Sequence, residues 1–529
     1  MSDELEYFSK KVARGLMDRR AFMGRAAALG VSATVATGIM ARAAASATPI
    51  RGGTLKAGYQ GGASSDSLDS ALWASDAPIG FGRTWAETMV EVGPTGEVEM
   101  RLAESVEASA DAKTWNFKIR EGVEFHNGKT LTPADIVATL ERHSDENSKS
   151  GALGIVKGIE SMAVDGQNVV LTLSEPNADL PYLMADYHLM VFPNGGKDDP
   201  TAGIGTGAYK IVENNPGVRH TSTRFENYWD ADNRGFAEDV EVVILNDSTA
   251  RLAALQSEQV HMINRVEPKV VNLVKRIPGI DVRTVSGPGH YVFIMHVNTA
   301  PFDNIHLRMA LKYAINRQEM VDKILQGYGS VGNDFPINAS YPLFSDDIEQ
   351  RTYDPDKAAF HYKKSGHDGP IILRTSDVAF PGAVDASQLF EQSAAAAGIT
   401  LEIKREPGDG YWSEVWNKQP FCASYWGGRP VQDQMYSTAY LSTADWNDTK
   451  FFRPDFDKII IEARAELDQA KRKELYRAAA LMVRDEGGLI LPMFNDFIDA
   501  ISDKVGGYVD DSSSGMMNDK TLIKTWLKA

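Results

Sequence analysis

The sequence predicts an α/β protein of two or three domains. Three observations carry that expectation: a length of 529 residues, short β-branched runs interleaved with amphipathic helical stretches, and no low-complexity linker or fixed-period repeat. A chain this long exceeds a single hydrophobic core, which stops growing at about 250–300 residues. Strands mixed with helices throughout favour layers of helix on sheet over an all-α or all-β design. Without linkers, the domains are expected to be interleaved by chain crossings rather than strung in series.

The elements follow in chain order. Thr114–Ile119 alternates apolar and polar residues like a half-buried strand. Thr132-Pro133-Ala134-Asp135 opens a helix, with Thr as N-cap, Pro at the first helical position and an acid in the first turn. That helix continues through Ile136, Val137 and Leu140. Asn168–Leu173 and Val240–Leu245 are apolar strand candidates bounded by turn residues. Asn304–Leu325 reads as one long helix closed by Gly327, and Asp385–Ala397 and Phe456–Val483 as two more.

Composition excludes several classes of function. Hydrophobic residues at 43% and charged residues at 24% give the balance of a soluble globular chain. The net charge of −17 argues against nucleic acid as a partner, since phosphates need a basic face. Cys422 is the only cysteine, so neither an internal disulfide nor a cysteine-based zinc site can form. Its neighbours Phe421, Ala423 and Tyr425 suggest a buried, inert thiol. His290 and His296 flank Tyr291–Met295 and read first as structural histidines, with a ligand role as the lesser alternative. No Gly-x-Ser-x-Gly elbow or acid–base pair emerges, so a non-enzymatic chain without cofactor or metal is expected.

Residues 1–47 read as a targeting segment. Asp18-Arg19-Arg20-Ala21-Phe22-Met23 resembles a twin-arginine export signal, Ala26–Met40 is a short, mildly apolar stretch, and Ala45-Ser46-Ala47 suits a signal peptidase. The order of these features implies export by the twin-arginine machinery with cleavage near Ala47. No apolar run of about 18 residues follows that could span a bilayer.

Two glycine motifs are decoys. Gly122–Thr130 ends in Gly128-Lys129-Thr130, but Val123 stands where a phosphate loop needs its first glycine, so a turn is expected. Gly205-Thr206-Gly207 is expected to let the backbone cross at close approach or with unusual dihedrals.

Four ordered blocks carry a resemblance. Leu102–Ser105 with Trp115–Gly128 and Leu131–Val137 is the first. Gly205–Lys210 with Asn227-Tyr228-Trp229 is the second. Asn298–Asp303, Arg308–Leu311 and Ala314–Arg317 form the third, and Tyr353–Ala358 the fourth. Together they resemble the peptide/nickel family of extracellular solute-binding proteins, solute-binding family 5, over nearly all of the chain beyond residue 47. The resemblance implies a two-lobed periplasmic binding protein fold, with an additional domain inserted in the first lobe and hinge closure over the ligand. Carried over, the first lobe comprises 48–88, 205–288 and 490–529, the additional domain 89–204 and the second lobe 289–489. It further implies a monomeric periplasmic receptor that captures a small molecule or short peptide and delivers it to an ABC permease/ATPase complex. A periplasmic hydrolase of small amides or glycosides, and a peptide-holding chaperone or sensor, are the alternatives.

The family's ligand positions map onto Tyr59, Gln60 and Gly61, onto Tyr291 and Phe293, and onto Tyr425, Trp426, Gly427 and Arg429 with Asp433. Aromatic residues suit such a site because they bury large area and keep a polar edge. Arg429 departs from the family, since peptide-binding relatives commonly place an acid there for the ligand's amino terminus. A guanidinium fork suits a carboxylate, sulfonate or phosphate instead. Asp377 is a second apparent reversal, near where dipeptide binders place an arginine. The alternatives are that Arg429 pairs with Asp377 or with Asp433 and never meets a ligand. With the reversal, a small anionic or zwitterionic solute is favoured over an ordinary peptide.

Overall fold

The computed structural model describes residues 48–94, 96–145, 147, 149–466 and 468–528; the export signal expected in 1–47 lies outside them. Its backbone is a mixed sheet of eleven strands shared by two lobes. Two long strands, Ile280–Met295 and Leu489–Ser502, run antiparallel through the middle and belong to both lobes. Toward one end, Leu489–Ser502 pairs through Met262–Ile263 with Thr54–Tyr59, and so with Asp239–Ile244, Arg219–Arg224 and Tyr209–Asn215. Toward the other, Ile280–Met295 pairs with Phe421–Trp426, then Ile371–Thr375 and Leu401–Arg405. The central ladder shifts register between Ser286 and His290, where Gly287-Pro288-Gly289 interrupts it. Proline cannot donate to a ladder, so pairing weakens where the chain passes from lobe to lobe.

Each lobe encloses its own apolar core. Leu55, Trp73, Trp85, Val240 and Ile523 belong to one, and Phe293, Leu311, Phe390 and Ile490 to the other. A third core, around Phe117, Leu140 and Leu171, lies beneath a separate four-stranded antiparallel sheet of Ala103–Ala108, Thr114–Ile119, Asn168–Leu173 and Ile159–Asp165. The strands expected at Thr114–Ile119 and Asn168–Leu173 are present with those bounds, and the third spans Asp239–Ile244. The helix expected after Thr132 spans Pro133–Ser144, and Asp135 closes its start by accepting from Thr132 N at 2.9 Å and Oγ1 at 2.7 Å.

Two long helices expected from periodicity are each broken in two. Asn304–Leu325 divides into Ile305–Ala314 and Arg317–Lys323, because the Asn316 side chain accepts from Glu319 N and restarts the helix. Phe456–Val483 divides into Pro454–Ala465 and Gln469–Glu486, where Asp468 caps the second by accepting from Ala470 N and Lys471 N. Helical spacing persists across both breaks, and the capping side chains mark them. The helix expected at Asp385–Ala397 spans Ala383–Ala395. Gly122–Thr130 is a turn, with Phe125 N donating to Lys129 O. At Gly205 and Gly207 the reason for glycine is space rather than dihedral angle: a Cβ on either would collide with the backbone of Trp85.

Candidate ligand-binding cleft

The lobes meet across a cleft holding about 970 Å³ of space unfilled by atoms, its mouth included. Its apolar wall comes from the second lobe. The turn Tyr411–Val415 brings Trp412 toward the cleft, the following residue adds Trp416, the strand Phe421–Trp426 ends in Tyr425 and Trp426, and Trp446 completes the wall. Ring centroids of Trp416, Trp426 and Trp446 lie 5.4–6.2 Å apart at steep angles, an edge-to-face packing that fixes the planes. Behind it, Asp448 Oδ2 accepts from Trp416 Nε1 at 3.0 Å and Trp426 Nε1 at 3.1 Å.

The opposite wall is charged. Asp76 opens the helix Asp76–Trp85, which also carries Arg83 into the cleft. Arg265 grips Asp76 with Nε at 2.7 Å and Nη2 at 3.0 Å, and its guanidinium lies 3.8 Å from the centroid of the Tyr425 ring across the lobes. Arg265 has φ 49°, a left-handed conformation that a non-glycine residue keeps only when its surroundings enforce it. Asp186 accepts from His188 Nδ1 at 2.6 Å and from His188 N at 3.0 Å. Burial alone would raise the Asp186 carboxyl, yet His188 and Arg429 hold it well below the usual carboxylate range. Near the chain's end, Ser513, Ser514, Asn518, Asp519 and Lys520 close the cleft from the first lobe.

Of the residues singled out in the sequence, Tyr425, Trp426, Gly427 and Arg429 line this cleft together. Arg429 N donates to Tyr341 Oη at 3.0 Å, and Nη1 donates to Gly428 O at 2.8 Å. Its Nε lies 3.9 Å from Asp186 Oδ2 and its guanidinium faces Tyr187, while neither Nε nor Nη2 makes a hydrogen bond of standard geometry. The pairings weighed for Arg429 are not formed, because Asp377 is taken by Arg405 and Asp433 by Arg464 at 2.9 Å. Tyr291 reaches a neighbouring cavity that shares Asp76, Tyr425 and Trp426 with the cleft.

The other expected positions lie elsewhere. Phe293 is wholly buried among Phe380 and Phe390 in the second lobe's core, because its strand faces that layer at odd positions below Tyr291. Tyr59 is buried beneath the helix Asp76–Trp85, where a Cβ on Gly80 would stand 2.6 Å from its ring. Gly61 N donates to Asn246 Oδ1 at 2.9 Å, and Asp433 is wholly buried in the helix Gln432–Ala439. Gln60 and Asp377 line a separate polar crevice between the lobes, joined by Gln60 Nε2 donating to Asp377 O at 3.1 Å. His290 is buried with Nδ1 against Pro288 O, and burial lowers both it and His296 to about 4. Burial likewise pushes the Cys422 thiol up. Among the described residues no group of three or more His, Cys, Asp or Glu could hold a metal ion.

Sequence reasoning missed Asp76, Arg83, Asp186, Arg265, Trp412, Trp416, Trp446 and Asp519. Only the tryptophans left a local signal, since Trp412 and Trp416 are four residues apart and share one side of a helical turn. The charged residues are brought in from separated segments of the chain.

The sequence model of bacterial extracellular solute-binding proteins, family 5 middle region, matches residues 97–448. Similar curated proteins include the dipeptide-binding protein of Escherichia coli, 23% identical over 462 residues, covering 79% of this chain and 84% of that one. Heme-binding protein A of Haemophilus influenzae is 24% identical over 458 residues, covering 78% and 82%. Among solved structures, the binding protein AgaA from A. tumefaciens in complex with agropinic acid superposes with a TM-score of 0.83 at 22% identity, covering 90% of this chain and 99% of AgaA. DppA from Helicobacter pylori, in complex with a peptide, gives 0.82 at 21% identity, covering 91% and 99%.

Proposed function

We propose, from the premise that this chain belongs to the bacterial extracellular solute-binding proteins of family 5, that it is the periplasmic receptor of an ABC importer for a small anionic or zwitterionic solute. The observation that carries the solute's charge is Arg429. It stands in the wall of an inter-lobe cleft with Nε and Nη2 lacking acceptors. Leaving guanidinium donors buried and unmatched is costly unless a ligand supplies the acceptor, and a carboxylate or phosphate oxygen matches the fork. The relatives' dipeptide, heme and agropinic acid ligands set the scale of solute such a fold encloses.

Capture works by closure on the two shared strands, with Gly287-Pro288-Gly289 as the pliant point. A solute touching Arg429 on one lobe and the charged wall on the other stabilises the closed arrangement, and the permease receives it in that form. The division at about residues 88, 204, 288 and 489 belongs to this proposal, as do export through the twin-arginine route, a monomeric state and action without turnover. The separate apolar clusters around Trp85, Phe117 and Phe390 support the division. The test is solute binding by wild type and R429Q. Affinity for the cognate solute should fall by about tenfold or more, a loss of at least about 1.4 kcal/mol. Equal affinity would remove Arg429 from the site.

A further inference from the structure

Most charges around the cleft are already matched. Asp76 is committed to Arg265 and Asn264, and Asp186 to His188. Lys520 donates to Val92 O at 2.7 Å and faces Asp511 at 3.5 Å. Three are not. Arg83 is 7% exposed, makes no hydrogen bond or ion pair among the described residues, and has its Nε sealed without an acceptor. Arg429 keeps two donors open, its nearest carboxylate already bound to a histidine. Asp519, also 7% exposed, receives no hydrogen bond on its carboxylate among the described residues.

Asp519 is held there at a conformational cost. Met516, Met517, Asn518 and Asp519 have φ of 52°, 58°, 54° and 59°, a left-handed turn without glycine. Each such residue costs about 1–2 kcal/mol, and strain of this kind concentrates where a ligand is clamped. Asp499 secures the turn by accepting from Met516 N at 2.5 Å.

The three groups have an order in space. The turn Gly515–Asp519 packs on the helix Asp76–Trp85 that carries Arg83, so a guanidinium and a carboxyl group face the cleft from the first lobe without a hydrogen bond between them. Burial and the nearby Asp76 push the Asp519 carboxyl up, so an incoming ammonium would supply the charge that favours its ionised form. Such a pair complements the carboxylate and ammonium of an α-amino acid. Arg429 lines the same cleft from the second lobe, beside Trp426. We propose that the solute is an α-amino acid bearing a distal acidic group, its head received by Arg83 and Asp519 and its distal acid by Arg429. This rests on the receptor function above and adds the ligand class. It makes Arg83 and Asp519 specificity-determining residues.

The probe is γ-L-glutamylglycine, which has such a head and a distal carboxylate, with three relatives: the α-carboxamide, the N-acetyl form and the glycinamide. Calorimetry of the purified protein should show binding of the parent and a loss of about tenfold or more for each change. R83Q should bind the parent weakly yet be indifferent to the α-carboxamide change, D519N to acetylation and R429Q to the glycinamide. This matching separates recognition from a folding defect, which would weaken all four probes alike. Absence of parent binding at millimolar concentration overturns the ligand class, as does wild-type discrimination of the head changes by R83Q and D519N. If another acidic solute then binds in an Arg429-dependent way, the receptor function stands while the ligand class fails. Indifference of every bound solute to R429Q sinks the receptor's anion site instead.

Discussion

Asp448 shows how one residue can govern a binding wall it does not line. It is fully buried, and its Oδ2 holds the indoles of Trp416 and Trp426 while Oδ1 has no donor. Burial pushes its carboxyl up to about 7 against the pull of those two indoles and Lys450. A folded-state value above the unfolded one means the native protein holds the proton more tightly. The associated stability is present below about pH 4 and is lost as pH rises through about 7. The substitution Asp448→Asn would keep an oxygen for both indoles while removing the group that ionises. Melting curves of D448N and wild type should therefore draw together near about pH 4 and separate above about pH 7, the variant melting higher. Parallel curves across that range would contradict the account. At this scale the resemblance pointed to Tyr425, Trp426, Gly427 and Arg429, which line the cleft, and Arg429 stood out because its charge is the reverse of what the resemblance implied. Asp448, Arg83 and Asp519 broke none, and their placement in or behind the cleft comes from tertiary packing that no local window contains.

The loops and strand ends fix what the side chains can do. Asp334 ties the second lobe to the shared strand: it accepts from Arg317 Nη2 at 2.6 Å, Arg351 Nη1 at 2.5 Å and Leu491 N at 3.0 Å. Burial alone would raise its carboxyl, but Arg317 and Arg351 pull it to about 2. D334N would leave the buried Arg317 without a counter-charge and Arg351 with Asp485 alone, and a loss of about 3–5 kcal/mol in urea unfolding is expected. A loss under about 1 kcal/mol would show that the cluster is not holding the strand. Gly428 has φ 83°, and a Cβ there would collide with the Pro288 ring, against the pliant point of the ladder. G428A should lower stability by about 1–3 kcal/mol and weaken solute binding as well, since the loop also carries Arg429. Undiminished stability and affinity would mean the loop and ladder do not depend on each other. Periodicity located these elements to within a few residues where one face is buried. It failed at Asn316 and Asp468, where a capping side chain overrides a helical pattern that continues on both sides.

For the whole molecule, two lobes joined through one continuous sheet place an aromatic wall on one side of a cleft and charged groups on the other. The two-lobed architecture was legible because four different blocks along the chain resemble one family in the same order, whereas the cleft's charge pattern was not, being assembled from segments widely separated in sequence. The central claim is that this cleft captures an acidic solute, one per chain. Native mass spectrometry of the protein purified under gentle conditions tests it most directly. The expected spectrum shows a species heavier than the polypeptide by one small molecule with an acidic group, diminished in R429Q. A wild-type spectrum of bare polypeptide alone, together with no rise in melting temperature across a panel of acidic amino-acid derivatives, would contradict it.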